Sequence, residues 1–347
     1  MMGFKIMGSK NMSNTRLAWI DILKGIGILS VVAGHIYGGM LGDAIFLFHM
    51  PLFFVIGGML YRSPPSDRAF LHQKAVHLLI PYVSFLILLS AKDVVAALLH
   101  IVKSPGLATV SELLQIVGIA VYGGRLLQGW TGVFWFVTCF FLTQQLFHLL
   151  YTRCRRTGWL IGGAIALIIS TLNTQFFPQV CFPWNANVVF AALPFFGFGF
   201  YLKQIQISKL MYGIAAGLTA IALWLISNGY EISYNMKASG YGIPVVTLIF
   251  SMAVIICLIG LSQWIAQYLG MLQKGLAYLG TASMVIMYLH QPIQLTLKKL
   301  GTDGEIRFLL ASLIPIALYF LIKERTLTRA FLLGSPRDFE GFVRPLG

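Results

Sequence analysis

Ten mostly apolar runs divide this chain, at residues 18–40, 44–61, 77–100, 131–151, 158–173, 188–202, 210–227, 241–260, 278–297 and 306–323. A helix needs about 20 such residues to cross a bilayer. Backbone groups in hydrocarbon must be bonded within their own segment, so each run reads as a helix. None shows the alternation of a membrane-barrel strand. Composition agrees: 58% of the 347 residues are hydrophobic and 10% are charged, whereas a soluble domain carries roughly 25% charged residues. The expected fold is an all-α polytopic membrane protein of about ten transmembrane helices.

The net charge of +14 would suggest nucleic acid if the basic residues clustered on a soluble face. They sit instead in short connections between apolar runs, so no nucleic-acid partner is expected and the bilayer itself is. With the N-terminus inside, 17 Lys and Arg fall in cytoplasmic segments and 6 in outer ones. That bias predicts an N-in, C-in arrangement. The division is then a cytoplasmic segment 1–17, a transmembrane unit 18–325 and a cytoplasmic tail 326–347. The first run lacks a small-residue cleavage site and reads as retained. No appended extracytoplasmic domain is expected after that tail. Cys139, Cys154, Cys181 and Cys257 show neither CxxC spacing nor a disulfide framework. Three connections have the character of more than links. Residues 101–130 can form an amphipathic or re-entrant helix; 173–187 and 228–240 mix amides and aromatics suited to sugars. An interfacial aromatic belt explains those loops equally well.

Ionisable residues at membrane depth are costly and usually face a protein interior or a water-filled cavity. The first run carries three: Asp21, Lys24 and His35. At about 100° per residue, Lys24 and His35 return to within roughly 20° of each other, and Asp21 lies within about 60° of Lys24. One polar stripe therefore follows the helix, with Lys24 and His35 separated by about 16 Å of rise. A neutral imidazole can take a proton from a hydroxyl near neutral pH and return it later, which makes His35 the first catalytic candidate. Lys24 suits a phosphate as a point charge; locally, it can also pair with Asp21 or snorkel to the interface. His49 and His290, near the outer ends of their runs, are candidates for substrate contact or for structure. His72 and His77 read as solvated, His100 and His148 as interfacial, and Lys92 with Asp93 as part of a polar interior. There is no GxSxG elbow, HExxH helix or phosphate loop, and no metal-ligand spacing, so no metal is expected.

The stretch DILKGIGILSVVAGH, with a basic residue and a histidine eleven apart, resembles the signature of the acyltransferase-3 family of integral membrane proteins, in the branch of fucose O-acetylase-like proteins. FHMPLFFVIGG at 48–58, FWF at 134–136 and LGTASMVIMYLHQPI at 279–293 resemble further motifs of that family. The second of these makes Trp135 a candidate for substrate contact or structure. The family's usual first residue is Arg; Lys24 stands here and lacks bidentate phosphate geometry. The resemblance implies an O-acyltransferase moving an acyl group, foremost acetyl from acetyl-CoA, to a hydroxyl of a bacterial cell-envelope carbohydrate such as O-antigen or exopolysaccharide, lipid-linked acceptors included. It implies a multi-pass protein of the inner membrane, with Lys24 and Asp21 at the donor and His35 as the base. The rival class is a transporter or exporter of a glycan or small metabolite, for which intramembrane charges are also expected.

Overall fold

The computed structural model describes residues 9–154 and 158–343. Lys5, Arg155, Arg156 and Arg344 of the charge count lie outside the described residues. Every named element is helical: α1 (Ser9–Ile36), α2 (Gly39–Phe46), α3 (His49–Leu60), α4 (Asp67–Lys74), a π-turn (Ala75–Leu79), α5 (Ile80–Lys103), α6 (Leu107–Tyr122), α7 (Trp135–Arg153) and α8 (Gly158–Phe176). Then come α9 (Val188–Leu202), α10 (Lys209–Ser227), α11 (Pro244–Tyr268), α12 (Gly270–Thr281), α13 (Ser283–Lys299), α14 (Gly304–Ile322), α15 (Thr326–Leu332) and α16 (Pro336–Val343).

Among the described residues, eight helical stretches are long and apolar enough to cross a membrane, so the protein is a polytopic helical membrane protein. The other two expected spans fall on shorter elements. The apolar part of α8 is Leu160–Phe176, and the run 278–297 is broken at Ala282, where one helix ends and the next begins. The run 101–130 supplies α6, which turns back along α5. His100 donates to Glu112 across the pair at 3.0 Å, and Gly123 comes up against the Tyr82 hydroxyl.

The apolar pattern decides which helices are central. The stretch carrying α7 is 67% buried over its most apolar window, against 17% for the stretches carrying α5, α10 and α14. The latter show leucine, valine and tryptophan to their surroundings, as lipid-facing helices do. Around the centre, α1 packs on α12, α11, α13 and α3, and α3 packs on α9. Two of these contacts are backbone against backbone. A Cβ at Gly280 would stand 1.8 Å from the Asp21 carbonyl oxygen, and one at Gly25 would stand 2.1 Å from that of Leu276. Small residues permit such approach between membrane helices. Gly58 and Gly199 do the same for α3 and α9, each 1.9 Å from the other helix's carbonyl by that measure.

The connections 123–132, 173–187 and 228–243 come together as one hydrogen-bonded layer at the His35 end of α1. Trp184 Nε1 donates to Val121 O at 3.1 Å, Tyr122 to Cys181 O at 2.5 Å, and Thr174 to Ser239 O at 3.0 Å. Trp184, Asn185 and Ser239 hold positive φ there, a conformation that costs a non-glycine residue energy and persists only where its surroundings impose it. At the opposite end, α15 and α16 are tied by Arg329, which donates twice to the Asp338 carboxylate. Their joint at Gly334, φ +59°, presses against the π-turn.

Candidate active site

A cavity of about 1020 Å³ runs between the central helices. Asp21, Lys24, Lys74 and His77 line it at one end, His35 and His49 line it further along α1 and α3, and Arg125 and Lys237 line it at the loop layer. The stripe on α1 therefore faces a real lumen. Such a volume sits at the upper end of the range for small-molecule sites.

Lys24 donates to Asp21 at 2.9 Å, and both side chains are partly accessible. The local pair left open by the sequence is thus present, on the wall of the lumen, and pairing lowers the cost of holding each charge at membrane depth. The π-turn adds what the sequence does not show. Its extra residue per turn is a feature often found at functional sites, and here it brings Lys74 and His77 to the Lys24 end. His77 is not simply solvated: its Nδ1 lies 3.3 Å from Gly334 O, tying the π-turn to the segment between α15 and α16.

His35 is surface-accessible although helices enclose it, because its open face is the cavity wall. The His290 ring packs beside it, with centroids 5.3 Å apart and planes 34° apart. His290 and His49 are both buried, and each donates from Nδ1 to the carbonyl four residues back, Ile286 and Ile45, at 2.9 Å. That bond fixes a tautomer in which Nε2 carries the lone pair. In His290 this Nε2 has no partner among the described residues. Trp135 is 5% exposed and also borders the lumen. The expected site residues Asp21, Lys24, His35, His49 and Trp135 thus share one cavity, and His290 stands directly behind His35.

Other expectations need correction. Lys92 and Asp93 are more than half exposed, 3.9 Å apart, with the Lys92 ammonium over the Trp130 ring at 3.6 Å. They belong to the outer face of α5, whose apolar sequence masks its position. His148 is not interfacial. It is buried, stacked on Phe70, accepts from the Tyr61 hydroxyl at 2.7 Å and donates from Nε2 to Asp67 at 3.1 Å. The loop 173–187 contributes no residue to the lumen and instead supports the loops that do.

Along α13, Tyr288, Gln291 and Gln294 also line the cavity. The Tyr288 hydroxyl and Gln294 Oε1 are buried without a partner among the described residues. Polar atoms left in that state are rare and call for a ligand or water. Their spacing along YLHQPIQL at 288–295 was the available signal, easily read as the polar end of a span.

A family model described as an acyltransferase domain matches residues 17–322. This chain belongs to the acyltransferase-3 family. The matched segment runs from the first turn of the α1 span to the end of α14. It contains every residue that lines the cavity. The chain is also similar to the nodulation protein NolL of Mesorhizobium japonicum, 26% identical over 210 residues, covering 55% of this chain and 49% of that one. The chain thus spans about half the length of the curated relative it matches. No solved structure matches the chain.

Proposed function

We propose that the protein is a membrane O-acyltransferase that moves an acyl group, foremost acetyl, from acyl-CoA to a hydroxyl of a bacterial cell-envelope carbohydrate, working in the inner membrane with both termini in the cytoplasm. The observation that carries this reading is the single cavity with lysines at one end and the His35 imidazole about 16 Å of helix rise further on. Phosphates of the donor fit the Lys24, Lys74 and His77 end, where Asp21 is the one carboxylate among the lining residues. The extended pantetheine arm fits the apolar stretch between, past Phe53 and Phe136. The unpartnered Tyr288 hydroxyl suits one of its amides.

The donor supplies an electrophilic thioester carbonyl. His35 takes the proton of the acceptor hydroxyl as its oxygen attacks that carbon, and then gives the proton to the departing thiolate. The bond to sulfur breaks as the ester bond forms. His290 packs against His35 and limits its ring orientations. The charge bias of the loops supports an orientation with the Lys24 end toward the cytoplasm and the loop layer outside. The family match favours transfer over transport, the rival class.

The test is His35→Gln, which keeps a polar side chain and removes the proton acceptor. Acyl transfer per unit of correctly inserted protein should fall about 10²- to 10⁴-fold, while labelled donor is retained. Near-normal transfer would remove His35 from the chemistry and favour transport.

A further inference from the structure

The lumen has a second cationic region that donor binding does not use. Lys237 sits in the loop 228–243 and donates to Leu127 O at 2.8 Å and Gly132 O at 2.7 Å. Two of its three N–H bonds are thereby committed to backbone oxygens, and the ammonium is fixed at the cavity wall. Arg125, on the same wall, donates to Pro178 O at 3.0 Å. Neither cation has a carboxylate partner among the described residues. Asp21, the one carboxylate among the lining residues, is committed to Lys24 at the far end.

Two like charges held on one partly enclosed wall oppose each other. Burial, and after it the Arg125 charge, lowers the Lys237 ammonium from the usual lysine range to about 8. A loop held only for shape would be served by a neutral donor such as glutamine, without that cost. An anion in the lumen offsets the burial of charge for both residues. It also completes the third N–H of Lys237 and the free fork of Arg125, whose guanidinium suits carboxylate and phosphate alike.

We propose that the loop-layer end of the cavity is a binding site for an acidic group on the acceptor, so that the acceptor is a carbohydrate bearing a carboxylate or a phosphate, held by Lys237 and Arg125. This rests on the acyltransferase reading and deepens it: the acid group anchors the acceptor at the mouth while the hydroxyl to be acylated reaches inward to His35. Asn235 and Gln128 border the same space and supply amides for neutral hydroxyls.

The experiment measures binding, which does not require turnover. Purified full-length protein in detergent, saturated with CoA to fill the lysine end near Lys24, is titrated with trigalacturonate, with glucose 6-phosphate and with neutral maltotriose. Either anionic probe should bind at least about tenfold tighter than maltotriose, with an advantage that shrinks in high salt as exposed charge interactions do. The better anion identifies carboxylate or phosphate as the source. Because Lys237 also joins two loops, Arg125→Gln decides the matter, with Arg125→Lys as the charge-retaining control. The advantage should collapse in the first and survive in the second. Equal binding of neutral and anionic probes, or an anion advantage unchanged by Arg125→Gln, overturns the proposal. Thioester cleavage measured in parallel reports on the acyltransferase reading separately.

Discussion

Gly280→Ala tests how the lysine end of the cavity is held. Its Cβ would stand 1.8 Å from the Asp21 carbonyl oxygen, whereas ordinary contact begins at 3.4 Å, so α12 and α1 must separate by about 1.6 Å. The obstructing atom is backbone and cannot rotate aside. Forcing extra volume into packed helices costs about 1–3 kcal/mol, a factor of roughly 5 to 150 in the folded population. The same displacement moves Asp21 and Lys24, and a 1 Å misplacement can cost about 10²-fold in rate. Gly275→Ala, on the same helix, has open space and gains helix propensity of about 1 kcal/mol. The pair separates packing from the generic Gly-to-Ala effect. Thermal unfolding in detergent and the KM for acyl-CoA are the readouts. Gly280→Ala should melt earlier and bind donor more weakly, while Gly275→Ala should match or exceed the parent. Equal stability of the two variants would refute the close approach of α1 and α12.

Lys24→Ala should raise the KM for acyl-CoA far more than that for acceptor, and Lys24→Arg should retain activity; unchanged donor KM in the Ala variant would leave Lys24 only its bond to Asp21. His148→Leu should cost about 1–3 kcal/mol by stranding the Tyr61 hydroxyl, with activity per folded molecule unchanged. Anion binding at Lys237 should weaken as pH rises through about 8, since only the protonated amine attracts an anion. Cysteine labelling should place residues 62–75 on the cytoplasmic side and 228–240 on the other, and the reverse result would invert the donor end.

The helical membrane fold and one wall of the cavity were legible because hydropathy and helical period both depend on local sequence. Asp21, Lys24 and His35 lie on one helix, so counting degrees per residue sufficed. Beyond His49 and Trp135, the opposite walls were not legible. Lys237 reads as an ordinary loop lysine until Leu127 and Gly132, more than a hundred residues earlier, present their carbonyls to it. His77 reads as solvated because a π-turn has no strong sequence mark, and the return of Gly334 to that turn is a tertiary event. Lys92 misled for the converse reason. A charge within an apolar run suggests a polar interior, but α5 is peripheral and an aromatic ring takes the ammonium. The break at Ala282 was hidden because the run is apolar on both sides of it.

Much of the loop layer is fastened to main-chain oxygens: those of Val121, Leu127, Gly132, Pro178, Cys181 and Ser239 each accept a side-chain donor distant in sequence. A carbonyl is present whatever residue bears it. Of these positions, Val121, Pro178 and Cys181 can drift in identity without losing the bond, whereas Ser239 also accepts from Asn187 through its side chain and Leu127 is buried in the core. A protein built this way can change the chemistry at the mouth of its cavity by point substitution at the rim, with the frame inherited intact.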